Sequence, residues 1–153
     1  MSNVYENEIS KISSYMIKDH FRILSLLHGF EMNFDNNLEV KIESFKTFKW
    51  HLEKHVFVEE RAIFLSNKND KSIEDFSLLF EISNQHNEIM NEVTNIIQNL
   101  KINSGFEIVK LRGLLIKHLN FEEKIAYPRL DEIISKSEKN RIINSIKDII
   151  FEI

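Results

Sequence analysis

HVFVEERAIF, at residues 55–64, and HLNFEEKIAYP, at residues 118–128, repeat one pattern in two distant parts of the chain. Each copy has a histidine, a glutamate four residues later, a second glutamate directly after it, and an aromatic residue at the same offset. Four residues of an α-helix turn only about 40° past a full turn, so the histidine and the first glutamate of each copy share one side. The pattern therefore predicts two helices that each present an imidazole and a carboxylate to a common interior.

Glycine and proline are scarce in this chain, which favours long helices. Only three Gly and one Pro occur among 153 residues, so few positions break a helix. Apolar residues recur at helical spacing in four segments, at about residues 6–34, 38–65, 73–100 and 106–134. Pro128 lies near the end of the fourth segment, where we expect a kink or a termination of the helix.

Long helices with short joints predict an all-α fold, an up-down-up-down four-helix bundle that forms a single domain over residues 1–153. The joints are polar stretches at residues 35–37, 66–70 and 103–105. A last amphipathic piece, SEKNRIINSIKDIIFEI at residues 137–153, adds a short extra C-terminal helix. We expect this helix to pack across the bundle or against a partner chain.

Composition narrows the range of functions. The net charge of −4 offers no basic field for a nucleic-acid backbone, so we expect no nucleic-acid partner. The absence of cysteine excludes disulfides, thiolate zinc sites and cysteine-ligated iron–sulfur clusters. The N-terminus has no apolar signal region, and no window approaches the length of a membrane span. We therefore expect a cytoplasmic protein without a membrane partner, as a monomer or a weak homodimer.

Two further histidines extend the repeat. His20 precedes His55 by 35 residues, and His86 precedes His118 by 32 residues. The chain therefore divides into two helical hairpins of similar plan, each with a lone histidine on its first helix and HxxxE on its second. In an up-down bundle the second and fourth helices run parallel at opposite corners. Both HxxxE pairs then face the core, and the lone histidines complete a ring.

The candidate metal ligands are the members of this ring: His20, His55, Glu59, His86, His118 and Glu122. Four imidazoles and two carboxylates favour two metal ions, with two nitrogens for each ion and both carboxylates free to bridge. A solvent-derived bridge would leave each ion about five-coordinate, with room for an external ligand. Nitrogen and oxygen donors with an open position suit iron, with manganese or zinc as chemically possible substitutes. Metal coordination is also the usual compensation for burying two carboxylates.

This set of residues resembles the hemerythrin-like, or HHE cation-binding, domain family over residues 12–135. The resemblance rests on both HxxxE pairs, their second glutamates and trailing aromatics, and the two lone histidines. It implies a hemerythrin-like four-helix-bundle domain with a non-haem di-iron centre, in which two iron ions share an oxo or hydroxo bridge. It also implies that the six residues are the ligands, that Glu59 and Glu122 bridge, and that the partner is a small diatomic ligand, O₂ or NO.

Two features depart from the oxygen-carrying hemerythrins. Those proteins are expected to place two histidines one turn apart on the third helix, whereas Ile82 and Met90 flank His86 at those positions. Their bridging ligand on the fourth helix is typically an aspartate at wider spacing, whereas Glu122 belongs to HxxxE. The broader HHE group therefore fits better, and we expect a free-standing module.

Three functions are compatible with such a site. The leading expectation is a di-iron protein that binds O₂, NO or iron in sensing, storage or stress defence. One alternative is a di-iron enzyme that reduces NO or peroxide or oxidises ferrous iron. The other is a structural or interaction bundle in which metals such as zinc only hold the helices together.

His51 leaves an open question. It lies one turn before the first HxxxE, but the fourth helix has Leu114 at the matching position. His51 is therefore either a seventh ligand or a hydrogen-bonding neighbour of the site, or else a core or rim residue. Tyr127 is a candidate for a hydrogen bond near the site. We expect Glu60 and Glu123 to lie beside the ligands or in solvent, and not to coordinate.

Overall fold

The computed structural model describes residues 11–63, 73–102 and 108–151, which form helices and short turns and contain no strand. Helix α1 is Ile12–Met32, α2 is Leu38–Val58 continued by a π-helical segment Glu59–Ile63, and α3 is Ile73–Lys101. Helix α4 consists of Ile108–Phe121, a π-helical segment Glu122–Ala126 and Tyr127–Ile133, and α5 is Lys136–Ile146 continued by a π-helical segment Lys147–Phe151. The expected all-α class is confirmed for these residues. Among them, no helix combines the length and the apolarity that a bilayer span requires.

Several predicted helix limits and the joints at 66–70 and 103–105 lie outside the described residues. The C-terminal end of α1 can be compared with the prediction. The helix ends at Met32, two residues before the predicted end at 34, and a turn follows it. Helical conformation continues past Pro128 to Ile133, so the termination considered at Pro128 does not occur. Pro128 lies in the first turn of the last α-helical stretch of α4, where its missing N–H is tolerated.

Side chains at the joints cap the helices that follow. The Asn37 side chain accepts a hydrogen bond from the backbone N–H of Val40 at 3.0 Å, which begins α2 at the predicted break. The Ser135 hydroxyl accepts one from the backbone N–H of Glu138 at 3.4 Å and begins α5 in the same way. These local contacts explain where two of the helices start.

Helix α1 is capped from a distant part of the chain. Lys11, at its N-cap, makes no side-chain capping bond. The carboxylate of Asp131 in α4 instead accepts hydrogen bonds from the backbone N–H groups of Ile12, at 2.8 Å, and Ser13, at 3.2 Å. A negative charge at a helix N-terminus is also favoured by the helix dipole. Asp131 therefore fixes the start of α1 against the end of α4.

Two apolar clusters form the core. The first apolar cluster consists of Ile23, Leu27, Phe30, Phe45, Phe48, Leu52, Ile89, Val93, Ile96, Leu100, Leu111, Leu115 and Leu119. The second apolar cluster consists of Ile12, Met16, Val58, Ala62, Ile63, Tyr127, Leu130, Ile134, Ile142, Ile143, Ile146 and Ile150. In α1, His20 lies between Met16 of the second cluster and Ile23 of the first. The candidate ligands of the other helices hold the same intermediate place.

The order of the two clusters alternates along the chain. From its N-terminal end, helix α1 contributes first to the second cluster and then to the first. Helix α3 does the same, since Leu79 packs against the second cluster and Ile89 belongs to the first. Helices α2 and α4 meet the first cluster before the second. A polar layer therefore separates two apolar layers.

Helix α5 packs onto its own chain. Its stripe of isoleucines, from Ile142 to Ile150, belongs to the second apolar cluster, and the helix contacts α1 and α2. The apolar side that suggested a partner chain is therefore covered by the protein itself.

Replacing Asp131 with Ala is expected to lower the free energy of unfolding by about 1–2 kcal/mol, because two backbone N–H groups of α1 lose their acceptor. Denaturant unfolding of the metal-free protein, followed by circular dichroism, measures this loss. Glu132→Ala is the control, because the side chain of Glu132 is 71% exposed, and the change there should stay within about 0.5 kcal/mol. Equal stability of the two variants would contradict the capping role of Asp131.

Candidate metal centre

The six predicted ligands come together between the two apolar clusters, and each is at most 2% exposed. Four helices supply them: His20 from α1, His55 and Glu59 from α2, His86 from α3, and His118 and Glu122 from α4. The i, i+4 spacing places each histidine and glutamate of an HxxxE pair on one side of its helix, as the sequence predicts. Residues that are up to 102 positions apart in the chain therefore face one interior space.

The Glu59 carboxylate lies between imidazoles of both hairpins. Its Oε1 is 3.0 Å from His55 Nε2 and 3.1 Å from His86 Nε2. The same oxygen is 4.0 Å from His118 Nε2. Glu59 therefore contacts the histidine one turn earlier on its own helix and the lone histidine of the other hairpin.

Glu122 repeats this arrangement from the opposite helix. Its Oε1 is 3.1 Å from His118 Nε2 and 3.2 Å from His20 Nε2, with His55 Nε2 at 3.5 Å. The imidazole rings also come close in pairs, with centroids 4.9 Å apart for His20 and His55. The corresponding distance is 4.8 Å for His86 and His118.

One ligand atom from each of four residues lies within 4.8 Å of the other three: His55, Glu59, His118 and Glu122. All four residues are buried. Imidazole nitrogens and carboxylate oxygens at such distances can converge on a cation. This buried group could therefore hold a metal ion.

Two outward hydrogen bonds orient the histidines of the HxxxE pairs. The Nδ1 atom of His55 lies 2.7 Å from the Asp19 carboxylate, and Nδ1 of His118 lies 2.8 Å from the Gln85 amide oxygen. Both contacts direct Nε2 of the ring towards the site, as in metal-binding histidines. Sequence reasoning missed Asp19 and Gln85. The signal was present in the repeat, because each directly precedes a lone histidine.

The lone histidines are held by the second glutamate of each EE pair. His20 Nδ1 lies 2.9 Å from Glu123, and His86 Nδ1 lies 3.1 Å from Glu60. These glutamates are partly exposed, at 32% and 44%. They therefore lie beside the ligands, as expected, and connect the buried layer to the surface.

Tyr127 reaches the site because of the π-helical segment before it. Its hydroxyl donates to Glu59 Oε2 at 3.1 Å and lies 3.1 Å from His20 Nε2. Five α-helical steps would turn it about 140° away from Glu122. The backbone N–H of Tyr127 instead bonds to the carbonyl of Glu122, five residues back, which places the two residues one turn apart. Sequence periodicity could suggest Tyr127 but could not supply this reason.

Other residues near the motifs have weaker connections to the site. His51 is half-buried and is not one of the four residues that could hold an ion. His28 is exposed on α1. Phe57 is 51% exposed, so it belongs neither to the core nor to the site, and Phe121 is partly buried. Phe64 lies outside the described residues.

Glu59 holds protons on two of the histidines in the metal-free protein. Burial disfavours a charged imidazole, but Glu59 and Asp19 outweigh it and raise the pKa of His55 to about 10. Burial is likewise outweighed at His86, where hydrogen bonding and charge from Glu59 raise the pKa. Burial would raise the pKa of Glu59, but His55 and His86 keep it well below its ordinary value. Glu59 is therefore ionised beside the protonated ring of His55 and favours the protonated form of His86.

The other two histidines are neutral. Burial lowers the pKa of His118 to about 3. Burial and the neighbouring His55 lower the pKa of His20 to about 4. The two rings nearest to Glu122, His118 and His20, therefore bring no positive charge, and the protonated His55 lies farther from it, at 3.5 Å.

This neutral side of the site has unsatisfied buried atoms that a cation would satisfy. Gln85 donates its amide N–H to Glu81 at 3.0 Å, so its oxygen accepts the Nδ1–H of His118. The Nε2 lone pair of His118 then points inward, 3.1 Å from Glu122 Oε1, and makes no hydrogen bond. Among the residues that the structure describes, Glu122 Oε2 has no hydrogen-bond partner either. Two electron pairs that face each other in a buried space fit a metal ion well.

Comparisons with known proteins do not assign the chain to a family. No protein-family model matches the chain, and no curated protein or solved structure gives a significant match. The resemblance to hemerythrin-like domains therefore depends on the residues of the site alone.

Metal binding is expected to release about one to two protons per chain at pH 7, because His55 and His86 must lose theirs to coordinate. The raised pKa of His55, about 10, means that the proton competes with metal until the pH approaches that value. The apparent affinity for Zn²⁺ should therefore increase as the pH rises. Calorimetric titration in buffers of different ionisation enthalpy counts the released protons.

His28→Ala is the control for this titration, because His28 is exposed and should not change the proton count. Zinc binding without proton release, at an affinity independent of pH, would contradict the protonation of His55 and His86.

Proposed function

We propose that this chain is a hemerythrin-like, non-haem di-iron protein that binds O₂, NO or iron in sensing, storage or stress defence. The observation that supports the proposal most directly is the buried ring of four imidazoles and two carboxylates. Each carboxylate in that ring lies between imidazoles of both hairpins. Donors that are all nitrogen and oxygen suit iron.

The proposal includes an up-down-up-down four-helix bundle with a short extra C-terminal helix, as one domain. The alternating order of the apolar clusters supports this arrangement, since neighbouring helices must run in opposite directions to meet the same layers in opposite order. Contacts between α1 and α2, α2 and α3, and α3 and α4 agree with it.

The pairing of the rings suggests how the residues divide between two ions. In this proposal His20 and His55 hold one ion, His86 and His118 hold the other, and Glu59 and Glu122 are shared. Iron bound in this way would supply an open coordination position for a diatomic ligand. The chain's own part is to orient the imidazoles through Nδ1 and to exclude water with an apolar cluster on each side.

Tyr127 gives the site one neutral hydrogen-bond donor. Burial, reinforced by the charge of Glu59, raises the pKa of Tyr127 well above its ordinary value, so the phenol keeps its proton. Its hydroxyl lies beside Glu59 Oε2 and His20 Nε2, within the space that faces the ligands. By turning away from Glu59, it could donate its single O–H to a small polar ligand.

The same hydroxyl favours a second candidate function, a di-iron enzyme that reduces NO or peroxide or oxidises ferrous iron. Such an enzyme needs a proton donor inside the site, and the Tyr127 hydroxyl, beside Glu59 Oε2, is placed to act as one. Steady turnover of one of these substrates above the rate with free iron would favour the enzyme over the binding protein. A metal-stapled structural bundle would instead contain zinc and show no redox chemistry.

Iron content and optical spectra test the leading proposal. Metal-free protein loaded with ferrous iron under argon is expected to bind about two irons per chain, given the number of donors. Exposure to O₂ should then produce near-ultraviolet charge-transfer absorption that zinc-loaded protein lacks. Glu59→Gln and Glu122→Gln should each lower the iron content, because each removes a charged ligand.

His51→Ala is the matched control on the same helix as Glu59. Because His51 is only half-buried, unlike the six candidate ligands, its removal should leave iron content and spectrum unchanged. Loss of iron in this variant would instead make His51 a ligand. Wild-type protein that stays iron-free after loading, or that shows no charge-transfer absorption, would overturn the proposal.

A further inference from the structure

We propose that Asp19 and Gln85 make the two halves of the metal site unequal, so that the half with His20 and His55 binds its ion more tightly and fills first. This inference rests on the proposed two-metal site and adds an order of loading to it. The difference arises at one position of an otherwise repeated arrangement.

The contacts of the lone histidines are equivalent in the two halves. His20 and His86 each bond through Nδ1 to a glutamate, Glu123 and Glu60, at 2.9 and 3.1 Å. Each of these glutamates directly follows a candidate bridging glutamate on the other hairpin. Since both partners are partly exposed carboxylates, they do not favour either half.

The contacts of the HxxxE histidines repeat in position but not in charge. Asp19 and Gln85 directly precede the lone histidines, and each bonds to Nδ1 of the HxxxE histidine in its own hairpin. The distances are 2.7 Å to His55 and 2.8 Å to His118. One half therefore has a carboxylate where the other has an amide.

Asp19 is a buried carboxylate whose surroundings leave it incompletely satisfied. It is 1% exposed, its Oδ2 bonds to His55, and its Oδ1 has no hydrogen-bond partner among the described residues. Such a group is costly unless positive charge lies nearby. In the metal-free protein the protonated ring of His55 supplies that charge, and a cation bound on the far side of the ring would replace it.

Gln85 holds His118 in the same orientation without any charge. It is 8% exposed, and its amide group is fixed by donation to Glu81 at 3.0 Å. Its oxygen then accepts the Nδ1–H of His118, so Nε2 faces the site just as in His55. Both rings are therefore equally well oriented, and charge is the remaining difference.

That difference acts on metal affinity. A carboxylate at Nδ1 increases the basicity of the imidazole and also attracts the cation through space, whereas an amide only orients the ring. Loss of such a partner typically lowers metal affinity by about ten- to a hundredfold. The two halves should differ by about this factor. Between the two dissociation constants the protein then exists in a one-metal form, and the half with His118 is the one that exchanges ions with the medium.

Competitive titration of metal-free protein with Zn²⁺ against a chromophoric chelator measures both dissociation constants. Shifts of the ¹⁵N resonances of the imidazoles at one equivalent identify the histidines that bind first. In the wild type we expect constants about ten- to a hundredfold apart, with His20 and His55 shifted first. Asp19→Asn should weaken the first constant towards the second, and Gln85→Glu should tighten the second towards the first.

Glu88→Gln is the matched control, because it removes a negative charge from an exposed position on α3, the helix of Gln85. Both constants should be unchanged in this variant. Circular dichroism checks that each variant folds. If the added charge prevents Gln85→Glu from folding, the nearly isosteric Asp19→Asn variant decides the question.

The outcomes separate this inference from the function on which it rests. Two equal constants in the wild type, unequal constants that neither substitution changes, or first shifts at His86 and His118 would overturn the inference while leaving the two-metal site intact. Binding of fewer than two ions would overturn the proposed function as well.

Discussion

The carboxylates of Glu59 and Glu122 have no exposed surface, and the need to compensate their buried charge determines the arrangement of the residues around them. An ionised carboxylate in a protein interior is strongly destabilising unless charge and hydrogen bonds compensate it. Four imidazoles surround the pair, and these rings in turn need partners for their own Nδ1 atoms. The polar layer therefore extends outward until it reaches the partly exposed Glu60 and Glu123, and the apolar core is divided into two clusters.

The two buried carboxylates of this layer are not compensated equally by positive charge. Glu59 lies 3.0 Å from the protonated ring of His55, while the two rings nearest to Glu122, those of His20 and His118, are neutral. A fold without a ligand would gain stability from apolar residues at these places, because replacing buried ion pairs with apolar groups is often neutral or stabilising. The retained donor set is therefore easier to explain by binding than by stability alone.

The spacing of residues in the sequence predicts much of the candidate site but not all of it. His55 and Glu59 could be placed together because four residues bring a helix back to one side, and the repeat located their counterparts. Asp19 could not be assigned in this way, since adjacent helical residues point about 100° apart and only the position of the next helix decides what Asp19 meets. The cap that Asp131 provides for α1 spans more than a hundred residues, and no local pattern encodes it.

The π-helical segments of α2 and α4, which periodicity also could not reveal, begin at the same residue of the repeat, Glu59 in α2 and Glu122 in α4. Each segment changes the phase of its helix. In α4 the part before the segment directs its apolar side to the first cluster, and the part after it directs its own to the second; in α2 the segment itself contains Ala62 and Ile63 of the second cluster. If the same residues followed α-helical spacing, Tyr127 and the residues after it would turn by about 100° relative to the ligands. Helix α4 is thus two α-helical stretches in different registers, joined at the level of Glu122 by a turn that holds one extra residue.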